Sequence, residues 1–220
     1  MWRATVSRGG LRRFVPAAVL ILLSACAGHD TGNGDARAET RHGKSLILFD
    51  GTTLAGWSQA GPGGFRLVDN VMQSYGGMGL LWYSERTFGD FVLELDWRVA
   101  TGTDNSGVFL RFPDPGDDPW VAVNRGYEVQ IYDDEGGDPQ KTGAIYGFRA
   151  PDTSASKPVG QWNHYRIRAS GDEYTVFLNG VQVNHFTSTD PRRGTEGHIG
   201  VQNHDAASEV QFRDIVVREL

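Results

Sequence analysis

From Ser45 to Leu220 the chain is cut into short stretches of alternating apolar and polar residues, with turn residues recurring about every eight to twelve positions. No stretch carries a sustained helical period. That pattern excludes helical bundles and wound α/β sheets, and leaves strands that bury one face against another sheet. Phe91-Val-Leu-Glu-Leu-Asp-Trp-Arg-Val alternates strictly, so Phe91, Leu93, Leu95 and Trp97 form a core face while Glu94, Asp96 and Arg98 point outward and pair across strands. Asn179-Gly180, between Glu173–Leu178 and Val181–Phe186, is the strongest hairpin signal, and Asp69-Asn70 is a second. Roughly a dozen strands in about 175 residues predict an all-β fold, a two-sheet antiparallel jelly-roll sandwich rather than one closed barrel.

One strand stands out within that frame. Gly126 to Asp134, read with a period of two, places Tyr127, Val129 and Ile131 on one face and Glu128, Gln130 and Tyr132 on the other. A carboxylate, an amide and a phenol in a row are costly to bury without partners, so they are expected to line a wet groove. Pro113 to Pro119 reads as an acidic, proline-rich loop, and Thr142 to Phe148 as a further short strand.

The first 44 residues have a different character. Arg3, Arg8, Arg12 and Arg13 precede the apolar run Phe14 to Leu23, which is short for a bilayer span, and Leu23-Ser-Ala-Cys26 follows. This resembles a bacterial lipoprotein signal. Residues 1–25 are therefore expected to be a signal peptide, 26–44 a lipidated Cys26 with a small, polar, glycine-rich tether, and 45–220 the sandwich. The implied location is extracytoplasmic, anchored by lipid to a bacterial membrane. Cys26 is the single cysteine, so no intramolecular disulfide can form. A net charge of -6 with no Lys/Arg-rich block argues against a nucleic-acid partner.

Taken together, Leu48-Phe-Asp-Gly51 with Gly56-Trp57, Asn105-Ser-Gly-Val-Phe-Leu-Arg111, Gly126-Tyr-Glu-Val-Gln-Ile-Tyr-Asp133, Thr142-Gly-Ala-Ile-Tyr146, Gly160-Gln-Trp-Asn163, Leu178-Asn-Gly180, Gly197-His-Ile-Gly-Val-Gln202 and Phe212-Arg-Asp-Ile215 resemble the 3-keto-disaccharide hydrolase family. The resemblance implies a concanavalin A-like sandwich whose concave sheet handles sugars. It also implies cleavage of glycosides oxidised to a ketone at carbon 3, downstream of a separate sugar 3-dehydrogenase. The alternative is a non-catalytic, lectin-like carbohydrate-binding lipoprotein on the same fold.

A ketone at carbon 3 acidifies the hydrogen on carbon 2, so a base removes it while the aglycone leaves carbon 1 by β-elimination, with or without later rehydration. The polar members of otherwise apolar strands are the candidates. Glu128 and Gln130 are expected on the groove floor with Arg111 beside them, polarising the ketone or holding Glu128 ionised. His204, sharing a face with Gln202 and His198, is the favoured base. Gln130, Gln202, Asn105, Tyr146 and Trp57 are expected at the substrate, Tyr146 and Trp57 as stacking walls, although core packing is the safer reading of Trp57. The paired-carboxylate pattern Glu-x-Asp-x-Glu of laminarinase-type glycosidases is broken here, because Arg98 follows Glu94 and Asp96. No cofactor is expected. Calcium on the acidic loop of Asp133, Asp134, Glu135 and Asp138 is a weaker proposal, since the spacing is not that of an EF-hand.

Overall fold

The computed structural model describes residues 43–133 and 135–220. The expected signal peptide, Cys26 and nearly all of the tether lie outside the described residues. The elements are β1 (Ser45–Phe49), β2 (Trp57–Ala60), β3 (Gly64–Val68), β4 (Val71–Tyr75), β5 (Gly79–Tyr83), β6 (Phe91–Val99) and β7 (Ser106–Phe112). They continue with α1 (Trp120–Arg125), β8 (Tyr127–Ile131), β9 (Asn163–Ser170), β10 (Glu173–Leu178), β11 (Val181–Thr187), β12 (His198–Asn203) and β13 (Val210–Glu219). All ladders are antiparallel. One sheet runs β11-β10-β9-β6-β13-β4-β3, with β1 also on β13, and the other runs β2-β5-β12-β7-β8.

The core fills the space between these sheets. Phe91, Leu93, Leu95 and Trp97 meet Tyr165, Ile167, Tyr174 and Val176 from the larger sheet, and Val108, Leu110, Val129, Ile131, Ile199 and Val201 from the smaller. Glu94 and Asp96 face outward as expected, Glu94 against Arg166 and Asp96 against Arg213 and His164. The hairpins also follow the sequence. Asp69 and Asn70 have φ of 48° and 65°, and Asn179 and Gly180 have 51° and 84°, the paired left-handed residues that a tight two-residue hairpin turn needs.

Two bulges depart from simple alternation. In β13, Asp214 adopts φ of 52° and the register with β6 slips between Arg213 and Val216, so Phe212 and Ile215 both reach the core. In β7, Arg111 adopts φ of 55° and the register with β12 slips opposite it. Leu110 therefore lies in the inter-sheet core while Phe112 turns to the far face of the smaller sheet.

That far face carries a second apolar cluster of Ala60, Leu80, Trp82, Phe109 and Phe112, covered by Ala122 and Val123 of α1. The helix lies just beyond the segment read as loop, and its β-branched valines gave no helical signal. Pro119 starts it and Gly126 ends it after six residues. Thr142 to Arg149 forms no named strand. It joins the edge of β8 through Gln130 N–H to Ala144 O and Tyr146 N–H to Glu128 O, with Ile145 bridging Val129.

Candidate functional site

The far face of the smaller sheet brings Glu128, Gln130 and Gln202 together. β8 ends at Ile131, earlier than its alternation implied, but its faces are those expected: Tyr127, Val129 and Ile131 are in the core, and Glu128 and Gln130 point away from it. Register sets their neighbours. Glu128 lies opposite Phe109 and Gln130 opposite Gly107 on β7, while Gly200 on β12 lies opposite both Phe109 and Trp82. Continuing the Val108–Val201 pairing brings Gln202 beside Gly107. Across three strands one row therefore reads Gln130, Gly107, Gln202.

Gly107 is what lets these groups converge. A β-carbon there would stand 2.1 Å from Glu128 Oε1, so the carboxyl leans over the bare backbone of β7 toward Gln202. With its amide nitrogen turned to the acceptors around it, Gln130 donates to Ser106 O at 2.9 Å and to Glu128 Oε1 at 3.2 Å. Gln202 Oε1 is buried without a hydrogen-bond partner, and so is Asn105 Oδ1, two residues before Gly107. Tyr165 supports the strand from the core side by donating to Gln130 O at 2.6 Å. Ser106 Oγ ties β7 to β12 through Gln202 O at 2.6 Å.

This row is buried rather than lining the wet groove floor expected. Glu128, Gln130 and Gln202 are only 6%, 3% and 4% exposed. Burial pushes the Glu128 carboxyl up from 4.5 to about 8, with no cation acting against that. At neutral pH it is mostly protonated and can donate a hydrogen bond or a proton.

Arg111 is not beside it. Its bulge directs the guanidinium to Gly89 O, Gly171 O, the Tyr174 hydroxyl and the Asp90 carboxylate, and its side chain is fully buried there. The expected pairing with Glu128 is therefore corrected. Trp57 takes the core-packing reading over the stacking wall: it packs against the core, edge-on to Tyr83, and donates its indole N–H to Leu48 O at 2.8 Å. Tyr146 keeps an exposed ring next to the β8 edge.

His204 follows β12 in an open turn, 47% exposed at its side chain. Its Nδ1 stands 2.8 Å from Asp205 Oδ2, and that hydrogen bond from His204 is the main reason the Asp205 carboxyl is held below its usual range. An Nδ1–H given to the carboxylate leaves Nε2 as the free acceptor. Asp205 was not read from the sequence, although an aspartate directly after a candidate histidine was the available signal. Its other oxygen accepts from the backbone N–H of Ala207 and Ser208, and Ser208 Oγ in turn accepts from Asn105 N–H. His198 shares the far face with its ring 4.5 Å from that of Trp82, and its Nδ1 meets Tyr83 O.

No group of three or more His, Cys, Asp or Glu suited to a metal occurs among the described residues, and Asp134 of the acidic loop lies outside them. No helix among the described residues is long and apolar enough to cross a membrane.

The family model for the 3-keto-alpha-glucoside-1,2-lyase-like domain matches residues 45–218. None of the curated proteins matches the chain. Among solved structures, a candidate glycosyl hydrolase from Parabacteroides distasonis is 29% identical at a TM-score of 0.68, over 80% of this chain and 100% of that one. A second from the same organism is 22% identical at 0.68, over 80% and 94%. The carbohydrate-binding module CBM66 from Bacillus subtilis shares the fold, at 17% identity and a TM-score of 0.56 over 74% and 96%.

Proposed function

The chain belongs to the 3-keto-alpha-glucoside-1,2-lyase-like family, and on that premise we propose that it cleaves glycosides whose carbon 3 is a ketone, with Glu128 as the proton donor to the leaving oxygen. The observation that carries this reading is a buried carboxyl raised to about 8, set beside two amides over a bare glycine. Such a group is neutral where the reaction runs and suits the acid role. His204, oriented by Asp205, takes the carbon 2 proton on Nε2. The electron pair of that C–H bond passes through the enolate into the carbon 1–carbon 2 double bond, and the bond from carbon 1 to the leaving oxygen breaks. Glu128 gives that oxygen its proton. Water adding to the unsaturated product makes the net reaction a hydrolysis.

Gln130, Gln202 and Asn105 hold sugar hydroxyls, the last two through oxygens that have no protein partner. A sugar 3-dehydrogenase is the class of enzyme that supplies such a substrate. The arginine-rich leader and Leu23-Ser-Ala-Cys26 support a lipid anchor and an extracytoplasmic location. The rival reading, a lectin-like module, draws its support from Arg111, whose departure leaves Glu128 without a fixed cation.

Product analysis with a chromogenic 3-keto-glucoside and its unoxidised parent separates the two. Catalysis predicts release from the keto compound alone, loss of the carbon 2 hydrogen, and a kcat/KM that falls above about pH 8 as Glu128 loses its proton. It also predicts loss of turnover in Glu128→Gln with the fold intact. A rate that rises through pH 8 would make Glu128 the base instead, and binding without release would leave the lectin reading.

A further inference from the structure

In the proposed reaction the base and the acid come from separate pieces of the chain. Glu128 leans over Gly107 of β7, and His204 sits in the turn after β12. Two groups that act on one substrate need a fixed separation, since a misplacement of about 1 Å costs on the order of a hundredfold in rate. The pairing of β7 with β12 stops short of both, running from His198 opposite Phe112 to Val201 opposite Val108. Past that last pair, two serine side chains join the strands. Ser106 Oγ donates to Gln202 O at 2.6 Å, and Ser208 Oγ accepts from Asn105 N–H at 2.9 Å.

Ser208 is where the links meet. Its N–H donates to Asp205 Oδ1 at 2.9 Å, the oxygen that also takes the Ala207 N–H, while His204 Nδ1 meets the other Asp205 oxygen. Its carbonyl accepts from Ser74 Oγ of β4 at 3.2 Å, and Ser74 Oγ accepts from Val210 N–H. A hydrogen-bonded path therefore runs from His204 through Asp205 and Ser208 to Asn105, two residues before Gly107. Ser208 and Ser74 are both buried, where such bonds are stronger than in water. The bond to Asn105 belongs to the Ser208 side chain, and those to Asp205 and Ser74 to its backbone. Alanine at this position removes the first and keeps the other two.

We propose that Ser208 is a positioning residue, whose hydroxyl fixes the turn carrying the His204–Asp205 pair against the start of β7 and so sets the distance from base to acid. It acts through Asn105 and Asp205, without contact to the sugar. That role presupposes His204 as the base and Glu128 as the acid of the proposed reaction.

The test compares Ser208→Ala, Ser208→Thr and His204→Gln with the wild type, by turnover of a chromogenic 3-keto-glucoside and by NMR of amide hydrogen exchange. In folded Ser208→Ala the Asn105 N–H should exchange about tenfold faster or more, because it has lost its acceptor. Its kcat should fall about tenfold or more while KM stays within about threefold, since Gln130 and Gln202 are untouched. Ser208→Thr keeps the hydroxyl and should return both exchange and kcat to within about threefold of wild type. Wild-type kcat in Ser208→Ala overturns the proposal. So does an equal loss of kcat in the alanine and threonine variants, which would assign the effect to packing, or a rise in KM alone. Wild-type turnover in His204→Gln is a different failure: it removes the base itself, and the role of Ser208 with it.

Discussion

Glu128→Gln should reveal the cost of the buried carboxyl directly, as a change in how stability depends on pH. The Glu128 carboxyl rises from 4.5 to about 8 on folding through burial. Below pH 4.5 both folded and unfolded chains hold the proton, and its contribution does not vary. Between 4.5 and about 8 the unfolded chain has released the proton and the folded chain still binds it, so stability falls as pH rises. Above about 8 the loss is complete. At about 1.36 kcal/mol per unit, the whole window corresponds to about 5 kcal/mol, of which about 3 kcal/mol is gone by pH 7. This is comparable with the entire folding free energy of a small domain. Glutamine keeps the shape and the oxygen that accepts from Gln130 but carries no charge at any pH, so its variant lacks this slope. Urea unfolding followed by tryptophan fluorescence at pH 5, 7 and 9 measures both proteins. Other titrating groups act on both and cancel in the difference. The variant should gain on the wild type by about 4 kcal/mol between pH 5 and pH 9. A difference that stays constant with pH would show that Glu128 is solvated and ionised, and would remove the basis for its role as an acid.

Arg111→Met should destabilise by about 3 kcal/mol, because three carbonyl or hydroxyl acceptors and the Asp90 carboxylate lose their donor. Its kcat per folded molecule should stay near wild type; a large selective loss of kcat would return Arg111 to the chemistry. Gly107→Ala forces a β-carbon to within 2.1 Å of Glu128 Oε1, so it should cost about 1–3 kcal/mol and displace the carboxyl. Turnover should then drop even where the variant is fully folded, and wild-type kinetics would disprove a role for the carboxyl packed over Gly107. Asn184 is fully buried and its amide donates to Gly143 O, Arg149 O and Ala150 O. Asn184→Ala should cost about 2 kcal/mol and speed amide hydrogen exchange at Gly143, Ala144 and Tyr146, the segment that flanks β8. Unchanged exchange there would mean that the segment is held from the β8 side alone.

The division between what was legible and what was not follows from the range of each interaction. Alternation is local, so the core face of β6, the two faces of β8 and the Asn179-Gly180 turn could be read residue by residue. Placement of Arg111 could not, because a single left-handed residue reverses the parity of the strand beyond it, and arginine carries none of glycine's signal for that conformation. The consequence reaches the site from both ends of β7. Parity read straight through would have put Arg111 on the same face as Gly107 and Phe109, within reach of Glu128. The bulge instead sends the cation to Asp90 and brings Phe112 onto the far face against Trp82. With the cation directed elsewhere, nothing offsets the burial of Glu128. The carboxyl is raised by burial alone, and the backbone turn at Arg111 that hid from the sequence is what keeps the guanidinium from offsetting that burial as half of an ion pair.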